Sequence, residues 1–87
     1  MPSDQLRCRV CGLIQDEPPR GEDGRTATFD ICDCCGVEFG YEDSARESAR
    51  RYRQRWLEKG ARWHISRSRP ADWDLESQLK AVPEGWA

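Results

Sequence analysis

The sequence predicts a small α+β domain that is held together by a bound metal ion more than by an apolar core. Three observations support this fold class. The chain has 87 residues, of which 37% are hydrophobic and 34% are charged, so its apolar core must be thin. It contains two Cys-x-x-Cys-Gly pairs, and one long amphipathic helix follows them. Domains of this size often need a metal ion or disulfides to be stable.

The two cysteine pairs have the spacing of a four-cysteine zinc site. They are Cys8-Arg9-Val10-Cys11-Gly12 and Cys32-Asp33-Cys34-Cys35-Gly36. Each pair forms a knuckle, a tight turn in which the glycine after the second cysteine tolerates positive φ. Four thiolates arranged as a tetrahedron make a closed, structural site. We therefore expect one Zn²⁺ ion bound by Cys8, Cys11, Cys32 and Cys35.

Short antiparallel strands are expected on both sides of each knuckle, so that residues 1–43 form a zinc ribbon. Residues 6–8 and 13–14 flank the first knuckle, and residues 26–31 precede the second. Val37, Phe39 and Tyr41 alternate with Glu38 and Gly40 after the second knuckle, which is the period-two pattern of a half-buried strand.

The fifth cysteine, Cys34, has two interpretations that the sequence leaves open. Pairing Cys32 with Cys34 would leave too few residues for the usual turn, so Cys34 is expected outside the ligand set. It is either a small, inert residue on the knuckle surface or a spare thiol that metal exchange or oxidation could use. The odd number of cysteines and the absence of an apolar signal-type stretch at the N-terminus favour thiols in a reducing cytoplasm over disulfides.

Residues 44–60 are predicted to form the long helix. Ser44 and Glu47 fit a capping box at its start, and Gly60 supplies the stop. Four apolar residues share one face, which we expect to pack on the ribbon: Ala45, Ala49, Tyr52 and Trp56.

Residues 61–87 are predicted to be a tryptophan-rich extension packed on the helix. Alternation at residues 63–65 suggests a short extended strip. Asp72 is expected to cap a brief helix over residues 73–82, which Pro83 would end. The last residues are expected to fray and to leave Trp86 exposed.

Charge is segregated along the chain. Its net charge is −2, but residues 1–43 carry −6, residues 44–69 carry +7 and residues 70–87 carry −3. This pattern either marks a basic surface for a polyanion or lets the two halves attract each other. The candidate nucleic-acid-binding residues lie along the long helix: Arg46, Arg50, Arg51, Arg53 and Arg55.

Beyond the knuckles, the chain resembles small bacterial cysteine-rich proteins of CPCC type, which are zinc-ribbon-like proteins of unknown function. The residues that carry the resemblance are 31–43 (ICDCCGVEFGYED), 53–57, Gly60, Trp63, 66–70 and 73–74. Asp33 stands where such proteins commonly have a proline. The knuckles alone also resemble rubredoxin, in which the same four sulfurs hold iron, and a tetrahedral four-thiolate site accepts either metal.

These observations predict a non-catalytic, zinc-stabilised cytoplasmic protein that acts through contacts with another protein. The alternatives are a nucleic-acid-associated ribbon that uses the arginine-rich helix and a rubredoxin-like iron electron carrier. His64 is the sole histidine and cannot build a catalytic zinc site by itself, so neither an enzyme nor a small-molecule substrate is expected. No segment approaches the roughly 20 apolar residues of a membrane span.

Overall fold

The computed structural model describes residues 3–87, and its regular elements are four short or medium helices. They are a 3₁₀ helix at Ser3–Leu6, helix α1 at Arg46–Glu58, a second 3₁₀ helix at Ser66–Ser68 and helix α2 at Leu75–Leu79. Within the described range, none of these helices is long and apolar enough to cross a membrane. Residues 1–2 of the predicted ribbon segment lie outside the described residues.

The prediction of a zinc ribbon with antiparallel strands is wrong, because strands are nearly absent from residues 3–87. Each knuckle carries one isolated antiparallel bridge, between Arg7 and Ile14 in the first and between Ile31 and Glu38 in the second. One bridge closes a turn but does not make a ladder. The two knuckles are therefore present without the sheet that was expected to flank them.

The chain leaves the extended conformation around the second knuckle for local reasons. The amide of Tyr41 donates to the carbonyl of Glu38 at 3.2 Å, and the amide of Gly40 donates to the Asp43 carboxylate at 2.7 Å. These bonds turn the chain and use amides that a neighbouring strand would need. Before the knuckle, Phe29 has a φ of 61°, a left-handed conformation that interrupts an extended segment.

Sulfur-bearing residues make up much of the core. Among the described residues, five of the eleven buried hydrophobic residues are cysteines. The predicted core position of Trp56 is confirmed, and Ala49 is buried beside it on α1. Val37 and Phe39 are buried as their alternation indicated, and the complete set is Cys8, Val10, Cys11, Cys32, Cys34, Cys35, Val37, Phe39, Ala49, Trp56 and Ala61.

Helix α1 begins later than predicted and without the predicted capping box. Its N-cap is Ala45, which offers no side-chain bond to the helix. The hydroxyl of Ser44 donates instead to the carbonyl of Tyr41 at 3.1 Å, in the preceding turn. The capping box fails because this turn places Ser44 one residue before the cap.

The predicted stop at Gly60 is confirmed. Gly60 has a φ of 99°, its amide donates to the carbonyl of Leu57, and the amide of Ala61 donates to the carbonyl of Trp56. This pair of bonds is a Schellman motif, and it needs a left-handed residue at the position of the glycine.

The segment after α1 packs on the second knuckle without forming a strand. The amides of His64 and Ile65 donate to the carbonyls of Cys34 and Asp33, each at 2.9 Å. These two bonds attach the extension to the backbone of the knuckle. The expected extended strip thus gives way to a loop that leads into the second 3₁₀ helix.

Helix α2 is shorter than the predicted helix over residues 73–82, and its cap differs. The carboxylate of Asp74, rather than that of Asp72, accepts from the amide of Ser77 at 3.0 Å. Asp74 starts the helix because its side chain reaches the first free amides of the turn.

The predicted fraying of the C-terminal residues is wrong. Trp86 is partly buried and packs against the core, with the guanidinium of Arg9 3.9 Å from its ring centroid. Arg50 donates to the backbone oxygen of Ala87 at 2.8 Å. The C-terminal residues therefore lie against α1 and the first knuckle.

Candidate metal centre

The two knuckles fold in the same way and present their cysteines to each other. In the first, the amide of Cys8 donates to the carbonyl of Leu13 and the amide of Gly12 donates back to the carbonyl of Cys8. The second knuckle has the equivalent bonds, Cys32 to Val37 and Gly36 to Cys32, at 3.0 and 2.9 Å. The repeated Cys-x-x-Cys-Gly spacing produces this likeness, because each glycine takes the positive φ that its turn requires.

The four predicted ligands come together in one buried cluster. The sulfur atoms of Cys8, Cys11, Cys32 and Cys35 all lie within 4.8 Å of one another. The Cys8–Cys35 and Cys11–Cys32 sulfur separations are both 3.7 Å, and each of these contacts joins the two knuckles. Four thiolates about 2.3 Å from a zinc ion at the corners of a tetrahedron would lie roughly 3.8 Å apart. The cluster therefore has the dimensions of a four-thiolate metal site.

These sulfur distances do not fit disulfides. All five cysteines are free. A disulfide would bring two sulfurs to about 2.05 Å, well inside the observed separations. The arrangement suits thiolates that share a cation.

Without a cation, the clustered thiols cannot all ionise. Hydrogen bonding with Cys32 is the largest cause that raises the pKa of Cys11, and the same contact lowers the pKa of Cys32. Burial raises the pKa of the Cys35 thiol. Hydrogen bonds between the sulfurs and burial thus favour the protonated form of Cys11 and Cys35. A divalent cation removes this conflict by binding all four thiolates.

Donors around the cluster support the sulfurs. The amide of Val10 donates to the Cys8 sulfur at 3.4 Å, and the side-chain amide of Gln15 donates to the Cys32 sulfur at 3.6 Å. Arg53, from α1, lies close enough to Cys8 for the thiolate charge to raise its pKa, although burial lowers that pKa more. Such outer contacts orient metal ligands and offset their charge.

Cys34 lies outside the four-sulfur cluster but not on the knuckle surface. It is completely buried beneath α2. The side-chain amide of Gln78 donates to the Cys34 sulfur at 3.3 Å and to the carbonyl of Cys11 at 3.2 Å. The interpretation of Cys34 as a surface residue is therefore wrong, and Gln78 connects α2 to both knuckles.

The arginines proposed as a nucleic-acid-binding set are partly used inside the protein. Arg53 donates to the carbonyls of Val10 and Arg9 and to that of Trp86, at 2.6, 3.0 and 2.6 Å. Its charge is half-buried, so its role in this structure is to join α1, the first knuckle and the C-terminal residues.

The other four helix arginines lie at the surface. Arg46 lies over the Trp86 ring, Arg50 binds the last residue as described above, and Arg51 pairs with Glu47 at 3.4 Å. Arg55 lies over the Tyr52 ring, with 5.9 Å to the ring centroid. The five residues do not form one continuous free surface, because several are engaged with neighbouring groups.

Two residues that support the structure near the site were not predicted from the sequence. Arg20 forms an ion pair with Asp43, which is completely buried, and burial lowers the pKa of Arg20. Gln78 is the other, through its contacts with Cys34 and Cys11. Neither belongs to a recognisable motif, because their partners lie far away in the sequence. His64 is exposed and is not a member of the four-sulfur cluster.

Comparison with known proteins finds two curated relatives. The uncharacterized protein YoaQ of Bacillus subtilis (strain 168) is 41% identical over a region that covers 61% of this chain and 58% of the relative. The uncharacterized protein YozI of the same strain is 35% identical, covering 61% of this chain and 57% of the relative. No protein-family model and no solved structure matches the chain. The chain thus spans somewhat more than half the length of the curated relatives it matches, and it is similar to uncharacterised Bacillus proteins.

Proposed function

We propose that this protein is a non-catalytic zinc-binding module in which Cys8, Cys11, Cys32 and Cys35 hold one Zn²⁺ ion. The observation that carries the proposal is the buried four-sulfur cluster with two cross-knuckle separations of 3.7 Å. Four protein thiolates fill a tetrahedral ion, so no position is left for water or substrate. The ion would act as the centre of the core. The chain would belong with the CPCC-type proteins that it resembles.

The proposed role is to present a stable surface to another protein in the cytoplasm. Five free cysteines suit a reducing compartment. Several large apolar side chains remain outside the core, among them Ile14 at 50%, Phe29 at 59% and Tyr41 at 70% exposure. Ile14 also borders an acidic cleft of about 410 Å³. An apolar residue beside carboxylates suits a partner segment that carries both cationic and apolar side chains.

The test of the metal is native mass spectrometry with elemental analysis, on protein produced with zinc and iron both supplied. We expect one zinc per chain. A red protein with one iron per chain would instead favour the rubredoxin-like alternative, and a metal-free folded chain would contradict the proposal.

The test of the structural role is chelation followed by circular dichroism. Because the sulfur cluster occupies the core, removing the ion should unfold the domain, and adding zinc should restore it. Acidification should release the ion, because protons compete with the metal for the thiolates. A chelated protein that kept its helical signal and its near-ultraviolet tryptophan signal would contradict this role.

The test of the protein contact is capture from bacterial lysate with the metal-loaded protein. A partner retained by the wild type and lost from the Ile14→Ser variant, but kept by an Arg51→Gln control, would support it. Equal capture by all three proteins would place the contact elsewhere.

A further inference from the structure

A second cleft, of about 440 Å³, opens between the C-terminal half of α1 and the second knuckle. Its lining combines cations with aromatic rings. The cations are Arg55, Lys59 and Arg62, and the rings include those of Tyr52 and Trp63. None of the lining residues carries a carboxylate. Volumes of several hundred Å³ are typical of small-molecule sites.

The three cations of this cleft are not neutralised by ion pairs. Within residues 5–87, the salt bridges are Arg20–Asp43 and Arg51–Glu47, and neither involves a residue of the cleft. Three unpaired positive charges at one concavity attract anions locally, although Cys35 of the sulfur cluster also lines the cleft and the chain as a whole carries −2. The cleft therefore favours an anionic ligand.

The floor and one wall of the cleft are held by the knuckle. The hydroxyl of Tyr52 donates to the carbonyl of Cys35 at 3.0 Å, which fixes the ring beside the metal-binding turn. A side chain at Gly36 would lie 3.4 Å from both the Tyr52 hydroxyl and Nδ1 of His64. Glycine at this position leaves the space between those two groups open.

Two backbone amides of this cleft already donate to carbonyls of the second knuckle. The amide of Gly36 donates to the carbonyl of Cys32, and the amide of His64 donates to the carbonyl of Cys34. These amides cannot pair with an added peptide strand, which is the usual way in which an extended peptide binds to an edge. Arginine, lysine and aromatic rings instead provide contacts for phosphate and for a planar base.

We propose that this cleft binds a nucleoside phosphate, either free or as part of a single nucleic-acid strand. The phosphate would contact Lys59 and Arg62, and the base would lie against the aromatic wall beside Tyr52. The site goes beyond the proposed function, because the ligand would contact side chains of α1 and of the segment that follows it rather than the metal-binding sulfurs.

The experiment is isothermal titration of the zinc-loaded protein with four probes: adenosine 5′-monophosphate, inorganic phosphate, a single-stranded octadeoxyadenylate and a hexaglutamate peptide. Zinc content and circular dichroism are checked first, so a failure of the metal proposal is seen before any ligand is added. We expect saturable binding of the adenylate probes and weaker binding of inorganic phosphate. If the octamer binds more tightly than the monophosphate, the ligand is a single nucleic-acid strand. If the monophosphate binds equally or more tightly, the ligand is a free nucleotide.

The matched variants are K59Q/R62Q and R51Q/R67Q. Each pair removes two exposed positive charges, but only the first pair lies in the cleft. Because contacts between a charged donor and phosphate are strong, K59Q/R62Q should bind the adenylate probes about tenfold or more weakly. The control should stay within about twofold of the wild type, since distant charges act mainly through the screened long-range field.

Four results would overturn the proposal. They are no saturable binding of either adenylate probe, equal weakening by both variants, inorganic phosphate binding as tightly as the monophosphate, and hexaglutamate binding as tightly as the adenylates. The last result would assign the cleft to an acidic peptide.

Discussion

Replacing Asp43 with asparagine should strongly destabilise the protein. Asp43 is completely buried, its carboxylate pairs with Arg20, and it accepts a hydrogen bond from the amide of Gly40 at 2.7 Å. Asparagine keeps the size of the side chain and an acceptor for Gly40. It removes the negative charge and leaves the guanidinium of Arg20 without its partner. The substitution therefore tests the loss of the negative charge without a change in side-chain size.

The magnitude follows from the burial of both partners. Removing one member of a buried ion pair costs about 3–5 kcal/mol of unfolding free energy. The side chain of Arg20 keeps 12% exposure, so water can solvate it in part. We therefore expect a loss of unfolding free energy at the lower end of this range, about 3 kcal/mol. In a domain of this size, such a loss corresponds to a fall in Tm of about 12 °C or more.

The assay is urea unfolding at a fixed excess of zinc, followed by tryptophan fluorescence. Zinc must be held constant because a ligand of the folded state adds to apparent stability. The matched control is Glu47→Gln, since Glu47 and Arg51 form an ion pair whose side chains are 87% and 62% exposed. An exposed pair of this kind should change stability by less than about 0.5 kcal/mol.

A double variant tests whether the loss comes from the unpaired guanidinium. Adding Arg20→Met to Asp43→Asn removes the uncompensated charge, so the double variant should be more stable than Asp43→Asn alone. The expectation is contradicted if Asp43→Asn lowers the free energy of unfolding by no more than Glu47→Gln does. It is also contradicted if the losses measured for Asp43→Asn and Arg20→Met alone add up to the loss in the double variant.

The remaining predictions concern the knuckles and the elements packed on them. Cys35→Ser should prevent zinc binding and unfold the domain, whereas Cys34→Ser should retain one zinc ion by native mass spectrometry; equal damage from both would mean that the ligand set is wrong. Gln78→Leu should loosen α2 and weaken the near-ultraviolet tryptophan signal without loss of zinc, and an unchanged spectrum would contradict the role of Gln78 as a connection. Gly12→Ala should destabilise far more than Gly60→Ala, because its added Cβ would lie 2.3 Å from a backbone oxygen, whereas the Cβ at Gly60 meets nothing within 4 Å. In thermal unfolding with excess zinc, Gly60→Ala should show only the conformational cost of a left-handed alanine, about 1–2 kcal/mol.

Much of the candidate metal centre was predictable from the sequence, because its determinants are local. A Cys-x-x-Cys-Gly turn brings two sulfurs to the same side of the chain wherever it occurs, and the glycine permits the closing bond. The stop of α1 at Gly60 and the burial of Trp56 were predictable for the same reason, since capping and helix periodicity depend on neighbouring residues.

The loss of the expected strands could not be predicted in this way. Alternation correctly placed Val37 and Phe39 in the core, but it could not show that Asp43 would take the amide of Gly40 and turn the chain after a single bridge. The N-terminus of α1 failed similarly, because the hydroxyl of Ser44 is used by the preceding turn. In each case a competing hydrogen bond displaced the element that the local pattern favoured.

The amino-acid sequence by itself thus determined the two cysteine turns, the body of α1 and the segregation of charge. The tertiary structure alone decided which distant groups meet: Arg20 with Asp43, Gln78 with Cys34, and the loop after α1 with the second knuckle. These pairings depend on how the turns and helices pack around the sulfur cluster. Their energies come from burial, which no local pattern in the chain specifies.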